Sequence, residues 1–161
     1  MATSACTIAC ASGTISAALV STVLPARAAE IVPDAQAVVQ AEVAKRCKTT
    51  VYGEDFADNV DFNNDKLVDA IFNLGAVNCD GVPGGLCGNV GCPHEFYIQV
   101  AEGGYFLAAN ADLYGYELKQ RYGNKVLELK ANAASCGRDD SEYCVMTIRV
   151  RGAQFDTISK K

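Results

Sequence analysis

The sequence is poor in the groups on which most enzymes rely. His94 is the only histidine among 161 residues. There is no phosphate-binding glycine loop, no G-x-S-x-G elbow and no H-E-x-x-H pair. Cys92-Pro93-His94 lacks the C-x-x-C-H spacing of haem attachment. No basic stripe exists: 14 Lys and Arg stand against 19 Asp and Glu, for a net charge of −5. That balance argues against nucleic acid and against a polybasic membrane contact. After residue 30 no internal repeat or long low-complexity tract occurs, so a solenoid or array is not indicated.

Charge is also missing from the first 26 residues. Met1 to Ala26 is rich in Ala, Ser and Thr, with an apolar stretch through Ile15–Leu24, and Ala26-Arg27-Ala28 has the form of an A-x-A processing site. This is the shape of a secretory signal without its usual basic start. Residues 1–29 are therefore expected to be a signal peptide or an uncleaved N-terminal hydrophobic segment, the latter acting as a membrane anchor. Residues 30–161 would form a single domain, periplasmic or secreted. Losing the one basic residue of that segment, Arg27, would take the net charge to −6.

Eight cysteines are present, six of them beyond residue 30. An even number in a small exported chain reads as a disulfide framework. Cys87 and Cys92 flank a glycine-rich turn, and Cys136 and Cys144 close the base of a polar hairpin whose tip carries Asp139-Asp140. Pairing these two first leaves Cys47 with Cys79. A zinc site from Cys87, Cys92 and His94 is a competing reading, but it is one ligand short of the usual four. Catalysis by His94 is another, and the sequence alone shows no nucleophile beside it.

Periodicity divides the rest. Ala35, Val38, Val39, Val43 and Cys47 recur at three- and four-residue spacing after Pro33-Asp34, which predicts a helix over Asp34–Lys48. Residues 55–66 are polar and acidic. Leu67–Leu74 reads as a buried strand stopped by Gly75, and Asn78–Gly91 as a glycine-rich loop. From Glu95 onward apolar and polar residues alternate in strands expected at Glu95–Ala101, Tyr105–Asn110, Leu113–Gln120, Lys125–Ala131, Tyr143–Arg151 and Gln154–Ile158. The expected fold is α+β and mainly β. The N-terminal helix packs on an antiparallel meander sheet, or on a partly open barrel, of about six to seven strands.

Asp61-Phe62-Asn63-Asn64-Asp65-Lys66-Leu67-Val68-Asp69 is the most specific local pattern. Side-chain oxygens fall at Asp61, Asn63, Asp65 and Asp69, and Leu67 supplies a backbone carbonyl, which is the rhythm of a calcium loop. The segment resembles the loops of dockerin-like and FG-GAP-like modules. It departs from them at Lys66, where glycine makes the turn, and at Phe72, where an EF-hand has its bidentate glutamate. Two readings stand: one structural calcium ion, or an Asx-rich turn whose carboxylates cap backbone amides. Tyr105, Tyr114, Tyr116 and Tyr122 lie on adjacent hairpins. They read either as an interaction surface or as rings covering the sheet.

Cys47, the Asp61–Asp69 loop, the Cys87–Pro93 segment and Cys136-Gly137…Cys144 occur in the order found in a group of small exported, cysteine-rich proteins, mainly of alphaproteobacteria, which the chain resembles. The resemblance implies export, disulfides and fold. The functional expectation is a non-enzymatic binding or assembly module, an accessory subunit whose partner is another protein of the envelope or of an extracellular assembly. An envelope hydrolase inhibitor or stress protein is the alternative. A small enzyme using His94 and nearby acids is the second alternative.

Overall fold

The computed structural model describes residues 30–138 and 142–161. The signal or anchor expected over residues 1–29 and the Asp139-Asp140 tip lie outside the described residues. Among those residues no helix is long and apolar enough to cross a membrane.

Among the described residues there is one α-helix, α1, which spans Ala35–Arg46. The Asp34 carboxylate caps it by accepting from the Ala37 amide at 3.1 Å, and Lys45 and Arg46 sit in the last turn, where cations complement the helix dipole. Ala35, Val39 and Val43 form the buried stripe. The helix stops short of the expected Lys48 because Cys47 is extended, with its sulfur bonded to Cys79.

Ten strands follow among the described residues: β1 Thr50–Tyr52, β2 Ala57–Asn59, β3 Ala70–Asn73, β4 Val77–Cys79, β5 Val82–Pro83, β6 Cys92–Gln99, β7 Tyr105–Arg121, β8 Asn124–Asn132, β9 Tyr143–Arg151 and β10 Gln154–Lys160. They form a small antiparallel sheet, β1-β4-β5, and a large one in the order β10-β9-β8-β7-β6-β3-β2. The helix-plus-antiparallel-sheet expectation holds, with three differences in detail.

First, the apolar run at Leu67 starts its strand only at Ala70. The amides of Leu67 and Val68 bond instead to the side chains of Asp65 and Gln99, so these residues belong to the preceding loop. Second, the two strands expected between Tyr105 and Gln120 are one 17-residue strand. It bends through register shifts opposite Phe96/Tyr97 and between Leu113 and Gly115, each of which adds a residue to one side of a pair and turns the chain. Third, short strands occur in stretches too polar or too rich in glycine to show alternation.

The bends in β7 curl the large sheet on itself. Four strand-to-strand steps separate β6 from β10, or roughly 19 Å in a flat sheet. The rings of Phe96 on β6 and Phe155 on β10 nonetheless lie 5.9 Å apart. The sheet is a partly open barrel with free edges at β2 and β10.

Its inner face packs Ile71, Phe96, Ile98, Leu113, Leu127, Leu129, Ile148 and Val150 around Phe62. Its other face, through Ala70, Phe72 and Tyr97, packs on α1.

Disulfides join Cys47–Cys79, Cys87–Cys92 and Cys136–Cys144. The framework expected from loop length is therefore present, and three such bonds belong to an oxidising compartment. In the chain-entropy picture the 32-residue separation of Cys47–Cys79 makes it the most stabilising, at about 4 kcal/mol, against about 2 to 3 kcal/mol for the short loops. Gly91 precedes Cys92 where β6 meets the bend in β7. A Cβ there would stand 2.6 Å from the Leu113 backbone, so only glycine lets the two chains approach this closely.

Candidate functional site

Two acid-rich places lie at opposite ends of β3, and their chemistry differs. The Asp61–Asp69 loop enters the strand. Its backbone turns at Asn64 and Lys66, with φ of 67° and 76°, the left-handed region that glycine occupies in calcium loops. Asp61 accepts from the Asn64 and Lys66 amides at 2.7 and 3.1 Å. Asn63 Oδ1 accepts from the Asp65 amide at 3.0 Å, and Asp65 Oδ1 from the Leu67 amide at 2.8 Å. Asp69 is fully buried and bridges the Phe62 and Gln99 amides, both at 3.1 Å. Burial pushes its carboxyl up to about 6 against the lowering pull of those amides.

A lysine completes this end. Lys125 Nζ donates to the Asp61 carbonyl at 2.9 Å, while the Lys125 amide and carbonyl bond to the Asn64 side chain at 2.7 and 3.2 Å. As arranged, the loop's oxygens cap amides and meet an ammonium. Among the described residues no three of His, Cys, Asp and Glu converge as metal ligands.

The second place lies where β3 ends. Asn73 pairs with His94 across the sheet, and the bent half of β7 brings Gly115, Tyr116 and Leu118 over them. With Glu54, Asp55, Ala57 and Asp58 these residues line a groove of about 520 Å³. His94 lines it while only 2% exposed. Its Nδ1 lies 2.8 Å from the Cys92 carbonyl, which can only accept, so Nδ1 carries the proton. Nε2, at the far end of the ring from the backbone, is buried and makes no hydrogen bond to the described residues.

Burial holds the His94 pKa below its ordinary value, against the raising effects of the Cys92 carbonyl and of Asp112. Tyr116 meets the His94 ring edge-on at 5.6 Å and donates to Asp58 at 3.3 Å. Burial and Asp58 raise its pKa, so the hydroxyl stays protonated.

Comparison with protein-family models, with curated proteins and with solved structures finds no match for this chain.

The tyrosines do not share a face. The register shift at Tyr114 turns Tyr116 into the inner core beside Phe96, whereas Tyr114 bonds outward to the Asn89 carbonyl and receives the Asn132 amide. Tyr105 packs on the helix side and bridges to Val32, and Tyr122 stands 98% exposed at the β7–β8 turn. The zinc reading loses Cys87 and Cys92 to their mutual disulfide.

Sequence reasoning singled out His94 and, as one of four candidate surface tyrosines, Tyr116, but not Asp55, Asp58 or Asn73. The acids were visible only as a polar stretch, and nothing local ties them to residues 94 and 116.

Proposed function

We propose that the chain is an exported, non-enzymatic binding module whose site is the groove over His94. The observation that carries this reading is a groove lined by three carboxylates and by His94, whose buried Nε2 has no hydrogen-bond partner among the described residues. Ligand sites are concave places where a few polar groups converge, and a buried polar atom without a partner is rare enough to need a reason. Among the described residues no Ser, Thr, Cys or Lys lines the groove to serve His94 as a nucleophile, and its neighbour Cys92 is held in a disulfide. That supports binding over catalysis.

The test is site-directed photo-cross-linking in the envelope of producing cells. A cross-linker at Leu118, in the groove, should give a discrete adduct. One at Glu102, in the β6–β7 turn, should not. The Asp55→Lys/Asp58→Lys pair should abolish the Leu118 adduct. An adduct indifferent to that pair, or none at all, would remove the reading. An enzyme using His94 with the groove carboxylates is the second reading, favoured by their shared cavity. It requires turnover that His94→Gln abolishes while the fold persists.

A further inference from the structure

We propose that the groove over His94 binds an alkylguanidinium group, the head of an arginine side chain presented by a partner. The proposal rests on the reading of this groove as a binding site and adds the chemistry of what enters it.

The lining fixes the polarity of the guest. Because His94 Nδ1 donates to the Cys92 carbonyl, Nε2 offers a lone pair. Asp58, Asp55 and Glu54 are carboxylates, and the Tyr116 proton is already directed at Asp58. Asn73 Oδ1 is taken by the Gly75 amide. Apart from the Asn73 amide nitrogen, the side chains present acceptors, and among the described residues no Lys or Arg lines the groove to balance the charge. The fitting guest is positive and rich in N–H donors.

A single metal ion needs ligands converging on one point, and no such set of three occurs among the described residues. A guanidinium carries five donors in a planar fork, so it serves acceptors that are spread apart, and its face stacks on an aromatic ring such as that of Tyr116.

Nε2 is closed off from water and the Tyr116 ring packs edge-to-face on the imidazole, so we take entry to require that ring to swing aside. The Tyr116–Asp58 bond that holds it is 3.3 Å, long for a hydroxyl donor, and an incoming guanidinium replaces the hydroxyl on Asp58. The guest thus gains a charge-assisted pair with Asp58 and satisfies Nε2 together.

His94 is the only histidine, so its two ring nitrogens give unambiguous ¹⁵N signals. The probes are ethylguanidinium, ethylammonium, the neutral isostere ethylurea, and N-acetylarginine methylamide for the peptide-borne group. Titration of the intact, oxidised protein with ethylguanidinium should shift the Nε2 signal saturably. N-acetylarginine methylamide should bind at least as tightly, ethylammonium more weakly, and ethylurea not at all. Asp58→Asn should weaken binding by about tenfold or more, as expected for loss of a charge-assisted pair. Tyr116→Phe, which removes the competing hydroxyl, should tighten it.

Three results would each overturn the proposal: no saturable shift at tens of millimolar ethylguanidinium, equal binding of ethylurea, or a shift produced by zinc or calcium but by no guanidinium. Asp58 is exposed, so its variant tests the site without removing core packing. Persistence of the Leu118 adduct with no guanidinium shift would leave the binding module standing and remove only this inference. A guanidinium shift with no adduct would do the reverse.

Discussion

The two ends of β3 carry similar charge and opposite chemistry. At the loop end, Asp61, Asn63, Asp65 and Asp69 direct oxygens onto backbone amides, and the Lys125 ammonium closes on the Asp61 carbonyl. At the groove end, Glu54, Asp55 and Asp58 line the same cavity as His94, whose Nε2 accepts from nothing among the described residues. The spacing of oxygen-bearing side chains favours the loop as the site. The hydrogen bonds favour the groove, because what recognises a ligand is acceptor capacity left unfilled by the fold. Much of the loop's capacity is used to build a plug for the barrel.

The plug gives the largest expected effect. Phe62 is fully buried and lies 6.1 Å from Phe96 and 6.3 Å from Phe155, ring to ring. Phe62→Ala should destabilise the domain by about 3–5 kcal/mol, read from denaturant unfolding with the disulfides intact. A cost below about 1 kcal/mol would mean that the loop is a loose appendage free to rearrange around a ligand, and the contrast between the ends would fail.

Acid should act oppositely on the two ends. The folded pKa of Asp69, about 6, lies above the ordinary 3.8, so the native state binds its proton more tightly. Stability from this group is full at low pH and is lost as pH rises through the window between those values, by at most about 3 kcal/mol. The folded pKa of His94 lies below 6.5, so the unfolded chain takes up its proton first. Its contribution is therefore present above that value and is lost as pH falls. Unfolding free energies of Asp69→Asn and His94→Gln across pH 4–7 should lose one slope each, of opposite sign. The same sign in both variants would refute the assignment.

How much of this contrast was legible beforehand depends on how local each feature is. The helix period, the alternating hairpins and the disulfides of short loops are set by neighbouring residues, so they could be read directly. The left-handed turns at Asn64 and Lys66 were implied by a loop rhythm that expects glycine there.

The curl of the sheet was not legible. It depends on two register shifts within one long strand, and an extra residue such as Tyr114 looks in sequence like ordinary alternation. The groove inherits that difficulty, since its members come from residues 54–58, 73, 94 and 115–118, which meet only once the sheet has curled. The lone histidine after Cys92-Pro93 and Tyr116 were its visible members.

The calcium reading offers a finer test. The bonds within the loop predict that millimolar calcium leaves the melting temperature of the wild type unchanged, since its carboxylates already cap amides. A rise abolished by Asp61→Ala would show that an ion displaces those amides, and would make the loop a second site. Lys125→Met removes the ammonium from the Asp61 carbonyl and should lower stability by about 1–2 kcal/mol, as for other hydrogen bonds from charged donors. If the loss is nil, Lys125 does not hold the closed end.

The smallest effect is expected at the hairpin tip that carries Lys125 to the loop. Tyr122 adopts φ of 49° while 98% exposed, so its ring recovers little burial for a backbone state that disfavours its Cβ. Asparagine tolerates that state far better and is common at this turn position. Tyr122→Asn should therefore stabilise the domain by about 0.5–1 kcal/mol without altering the groove, which lies at the other end of the sheet. If the substitution instead weakens the groove cross-link, the exposed ring touches the partner, and the recognition surface extends along β7 from Leu118 to the turn.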